Sequence, residues 1–215
     1  GENITDGNNN VLIGYRAGYT GTSPDGSIGI GYRALYNNTA NYNIAIGYDA
    51  GFAITSGAGN LAIGYEAMLV HTTGGNNIAI GYGAMNDTDA GSTSLGSDDN
   101  LAIGRDSMGG TWANVKSEKN IAIGNYTMDS ALNGANNNVA IGWSALSAIT
   151  EGDQNTVVGA SSGISITTGI RNVGLGLQTL DAVTTGTRNI AVGTNAGSTI
   201  STTSYNIFIG NDAGA

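Results

Sequence analysis

One histidine, no cysteine and a scatter of carboxylates give this 215-residue chain little to catalyse with. His71 lies ten residues before Gly81, where equivalent segments carry Ile or Val, and reads as a coil-edge residue. Nucleophilic catalysis needs a base beside a hydroxyl or thiol, and without a second histidine or a cysteine no such pair can be assembled. Paired acids serve glycoside hydrolysis, but these acids fall in turns and no two are fixed about a cleft. The glycines recur regularly and precede no helix, so they are not a phosphate loop. The expectation is a non-enzyme with no cofactor. Asp87, Asp89, Asp98 and Asp99 form the one oxygen-rich stretch. They read either as weak Ca²⁺ ligands or as a solvated acidic loop.

Aromatic residues offer recognition instead. Tyr15, Tyr32, Tyr48, Tyr65 and Tyr82, then Trp143, each follow a recurrent glycine by one residue. Stacked in register they form either corner-stabilising rungs or an aromatic strip for carbohydrate or protein. Trp112, near Lys116, Glu118 and Lys119, suits a sugar ring if exposed, or caps a coil locally.

These residues hang on a repeat. A five-residue signature, Asn-(Ile/Leu/Val)-Ala-Ile-Gly, recurs twelve times. Its last residue is Gly14, Gly31, Gly47, Gly64, Gly81, Gly104, Gly124, Gly142, Gly159, Gly176, Gly193 and Gly210. The spacing is mostly 17 residues, widening to 23 before Gly104 and 20 before Gly124. A short fixed period means a solenoid whose coils stack. We number each coil from its closing glycine as position 0.

Position −4 is Asn in every coil but one, where Ser27 stands, and −3 and −1 are aliphatic almost throughout. Period-two alternation puts −3 and −1 on one face of a strand and −2 on the other. The large aliphatics are expected inside the coil. A second apolar row at −10 (Ile54, Ile149, Ile166, Val183, Ile200) predicts a second strand per coil, with glycine at the corners. The Asn column is either an inner amide ladder or a set of turn residues. The small column at −2 is Ala45, Ala62, Ala79, Ala102, Ala122, Ala140 and Ala191 in seven coils. It reads as the seam of an oligomer, or as packing across a flattened single-chain coil.

The prediction is an all-β parallel β-roll or β-solenoid of about twelve coils of ~17 residues. It forms a single domain over 1–215, with enlarged loops at 82–100 and 105–120. Both ends fall within the repeat, so the chain reads as an excised piece of a longer fibre. A net charge of −9 argues against nucleic acid and anionic membranes as partners. No apolar run is long enough for a membrane helix.

Six copies read N-x-A-I-G, and the segments Asn76–Gly81 and Asn137–Gly142 read N-N-I-A-I-G and N-N-V-A-I-G. They resemble the head repeats of trimeric autotransporter adhesins of the YadA type. That resemblance implies a left-handed, trimeric parallel β-roll that binds host surfaces. The longer units Gly31–Tyr48 and Ala67–Tyr82 resemble repeats of phage tail fibres, which often mature through a C-terminal intramolecular chaperone. The period here is longer than in the autotransporter heads. The resemblances imply an extracellular, homotrimeric fibre segment that attaches to a host-surface glycan or protein. The phage tail fibre is preferred for its G-Y-x-A-L and T-T-G elements, with the autotransporter head as the alternative. An ice-binding solenoid, using Thr at −9 and −8, and a polysaccharide-cutting fibre are the remaining readings.

Overall fold

A computed structural model describes residues 6–22, 24–88, 96–112 and 115–215. Each coil contributes one three-residue strand: β1 (Val11–Ile13), β2 (Ile28–Ile30), β3 (Ile44–Ile46), β4 (Leu61–Ile63), β5 (Ile78–Ile80), β6 (Leu101–Ile103), β7 (Ile121–Ile123), β8 (Val139–Ile141), β9 (Thr156–Val158), β10 (Val173–Leu175), β11 (Ile190–Val192) and β12 (Ile207–Ile209). They form one 12-stranded sheet in chain order. Every neighbour is parallel and in register, as in Ile44↔Leu61, Ala45↔Ala62 and Ile46↔Ile63. The protein is a β-solenoid. At ~4.8 Å per strand the sheet runs roughly 53 Å. Even across the 23-residue coil, Ile78 pairs with Leu101, so the extra residues leave the sheet register intact.

The predicted second strand does not form among the described residues. The −10 row is buried, as at Ile54, Ile149, Ile166 and Val183, but its backbone bonds coil to coil only singly, for example Thr55 N–H to Thr72 C=O at 2.9 Å. Corners explain why. Besides the glycine at 0, positions −5, +2 and +4 take left-handed φ in coil after coil, as at Lys119 (59°), Tyr126 (57°) and Met128 (51°). Such residues interrupt an extended run. Each costs about 1–2 kcal/mol in a non-glycine residue, and inter-coil bonds such as Tyr126 N–H to Arg105 C=O at 2.9 Å hold them there.

The interior reverses the sequence expectation. Alanines at −2 are fully buried, from Ala45 through Ala191, and face the +3 and +4 side chains inside the coil. A Cβ placed on Gly51 at +4 would lie 3.1 Å from Leu35 Cδ2 and 3.4 Å from Ala45 Cβ. Large residues therefore enter the core from +4 (Leu35, Met68, Met85, Met108, Met128, Leu146, Leu180) and from −10. Only alanine-sized groups fit opposite them across so narrow a coil. The β-strand aliphatics at −3 and −1 point outward instead.

The Asn column is a ladder. Asn138 Nδ2 donates to Asn120 Oδ1 (3.1 Å) and to Gly152 C=O (2.8 Å), while its Oδ1 accepts from Asn155 N–H (2.9 Å) and Asn155 Nδ2 (3.0 Å). All four capacities of the amide are used. Where Ser27 breaks the column, Asn38 reaches in from another part of its coil, and its Oδ1 accepts from Asn43 Nδ2 at 2.8 Å.

Candidate functional site

No pocket forms among the described residues, and the side chains with recognition chemistry lie in columns along the coil. His71 is fully buried rather than at a coil edge. Its Nδ1 lies 2.8 Å from Thr88 Oγ1 and its Nε2 2.9 Å from Gly74 C=O. It acts as a polar member of the core. Trp112 is also buried, which removes it from the binding surface and fits its alternative role as a local cap.

The acidic stretch does not converge. Asp87 accepts from Thr111 Oγ1. Asp98 accepts from Gly75 N–H at 2.7 Å and pairs with Lys116 at 3.2 Å. Asp99 is exposed with a left-handed backbone, and Asp89 lies outside the described residues. Among the described residues no three His, Cys, Asp or Glu side chains cluster as a metal site. Lys116 is held protonated above its ordinary range by hydrogen bonds to Glu118 and then Asp98. Burial raises the Asp129 carboxyl.

Two surfaces remain. The first is the outer face of the sheet. Every residue at −3 and −1 is Ile, Leu or Val except Thr156, and all are half-buried or exposed. Within the sheet, exposure reaches 38% at Ile46 and Val158 and 40% at Leu175. Two such columns along the sheet make an apolar strip on the order of 700 Å². That exceeds the ~300–600 Å² of the largest patch on an ordinary monomer.

The proposed alanine seam is therefore corrected. Ala45, Ala62, Ala79, Ala102, Ala122, Ala140 and Ala191 are inside one chain's coil and unable to touch another copy. The face that can do so is the aliphatic one. Two substitutions separate the faces. Ala140→Leu overfills the coil and is expected to cost about 1–3 kcal/mol, read by urea denaturation. Ile141→Lys, one residue on, is expected to leave the fold's stability within about 0.5 kcal/mol in the monomer.

The second surface is the tyrosine column. Tyr15, Tyr32, Tyr48, Tyr65 and Tyr82 stack face to face with centroids 4.8–5.3 Å apart and planes tilted 6–15°. A shorter column, Tyr19, Tyr36 and Phe52, runs beside it. Arg16 lies against Tyr15 and Tyr19, and Arg33 against Tyr32 and Phe52, all within about 5 Å of the centroids. Arg33 also makes a two-pronged pair with Asp49, its Nε 2.7 Å from Oδ1, which raises the guanidinium further above its high ordinary range. The Tyr65 phenol hydrogen-bonds Glu66, which raises its pKa above the ordinary 10.0. The column ends with Arg105 over the Tyr82 ring at 5.3 Å. Sequence reading foresaw this ladder but missed the guanidinium clamps, which the residue types alone do not reveal.

Threonine does not form a broad flat array. The −9 hydroxyls bond the next coil's carbonyl, as Thr55 Oγ1 to Thr72 C=O at 3.1 Å. The exposed −8 column is broken by Ser56 and Glu151.

Fold and surface together define a β-solenoid repeat protein. No protein-family model matches the chain, and neither does any curated protein or solved structure. No helix among the described residues is long and apolar enough to cross a membrane.

Proposed function

We propose that this chain is a structural and adhesive segment of an extracellular surface fibre, of the phage tail-fibre kind, assembled as a homotrimer. The observation that carries the reading is the outward aliphatic face. A strip of about 700 Å² exceeds the largest apolar patch of an ordinary monomer, and it is uncharged along its length. Its repeat is one aliphatic pair per coil, which a second copy in axial register matches tooth for tooth. Three parallel copies around one axis bury this face and leave the loops and the tyrosine corner outward. The buried backbone ladder supplies stiffness, and the fibre does no chemistry in this reading. A bacterial adhesin head would use the same surfaces and differ in its flanking domains.

Analytical ultracentrifugation tests the assembly. The wild-type chain is expected to sediment at three times its own mass. Ile123→Lys with Ile141→Lys is expected to give folded monomers, since both side chains lie outside the coil. A wild-type monomer at micromolar concentration would remove the reading. Attachment is tested by fluorescently labelled trimer on a panel of intact bacteria; labelling of none of them counts against an adhesive role.

A further inference from the structure

We infer that the tyrosine ladder binds an extended β-1,4-linked glycan laid along the fibre axis, about one sugar per coil. The inference rests on the surface-attachment reading above and names its ligand. Within the ladder each ring face is covered by its neighbours at 4.8–5.3 Å, so a sugar cannot stack on a single ring as it does on an isolated aromatic. What the column offers outward is ring edges and phenol hydroxyls, in residues 39–59% exposed. They recur once per coil in a nearly straight line. A ligand that reads such a line must carry its own hydrogen-bonding groups at the same step.

An extended β-1,4 chain of pyranoses does so: it is straight, and it advances per sugar by close to the coil spacing. Alternate sugars are flipped, and either edge carries groups that can pair with a phenol. An α-1,4 chain curls and leaves the line after a few sugars. Flanking charges complete the row. Arg33 and Glu66 each follow a tyrosine of the column by one residue, so charged side chains flank it. Five tyrosines set the length of the footprint at five or six sugars.

Calorimetric titration of the full chain with chitohexaose, cellohexaose and maltohexaose tests this. One or both β-1,4 hexamers are expected to bind, with affinity rising from trimer to hexamer, and maltohexaose to be inert. Preference for chitohexaose assigns the N-acetylated chain, and preference for cellohexaose the unsubstituted one. Tyr48→Phe combined with Tyr65→Phe keeps the ring stack and melting temperature but removes two hydroxyls, and is expected to weaken binding about tenfold. Silence toward both β-1,4 hexamers, equal binding of maltohexaose, or an unchanged double variant would each overturn the inference. A chain that trimerises and labels bacteria yet ignores both hexamers loses this inference alone. A monomer that labels nothing loses the fibre reading, whatever the sugars do.

Discussion

Asn138→Ala is expected to cost about 3–6 kcal/mol, among the largest effects any single side chain here can have. The truncation orphans three buried groups at once: the Asn155 N–H, one Asn155 Nδ2–H and the Gly152 carbonyl. Each buried group left unpaired costs about 1–3 kcal/mol, and water cannot reach a column that is fully buried. Asn138→Asp keeps the shape but fails too, because a carboxylate has no N–H for Gly152 or for Asn120 Oδ1. Asn206 gives the contrast. It donates to Asn189 Oδ1 at 2.8 Å but is only part-buried, so Asn206→Ala is expected to cost no more than about 1 kcal/mol. Urea denaturation of the three variants reads the difference. Equal losses at Asn138 and Asn206 would mean that the ladder contributes nothing beyond local turn geometry.

Gly142→Ala is expected to be at least as damaging, about 4 kcal/mol or more. The backbone at Gly142 has φ +139°, a region that L-residues rarely enter. A Cβ there would sit 2.4 Å from the Gly159 carbonyl oxygen and 2.6 Å from its carbon. Both are backbone atoms of the next coil, so no side chain can rotate aside. Relief requires the coils to separate, which breaks the sheet bonds on either side. Gly210→Ala separates the two causes, since its φ is +124° and no atom lies within 4 Å of the added Cβ. That variant carries strain alone, about 1–3 kcal/mol. If the two substitutions melt the protein alike, close coil stacking is not what fixes glycine in this column.

Much of this is legible in the residues alone. The N-x-A-I-G register placed all twelve strands, because a residue pattern that repeats per coil must stack like on like. The tyrosine ladder followed from the same logic. Residue type alone allows the Asn column to be either a ladder or a set of turns. It is a ladder because each amide bridges its own column and the −7 carbonyl of the next coil, as Asn138 does to Asn120 and Gly152. His71 lies in the core rather than at a coil edge, and Trp112 takes the capping side of its two readings, because both sit in variable rows where only packing decides exposure.

Residue order alone establishes the coil, its period and the parity of its strand: −3 and −1 on one side, −2 on the other. Alternation is a property of the extended backbone and needs no tertiary information. Which side is inside was decided by the tertiary structure. The left-handed residues at −5, +2 and +4 fold about 17 residues into so tight a loop that the +4 and −10 side chains already fill it. Alanine is what fits across from them, and the isoleucines are turned out. Those corners are occupied by Arg, Asp, Tyr, Met and Leu as readily as by Gly. No propensity marks them, because the bonds that hold them come from the coils above and below.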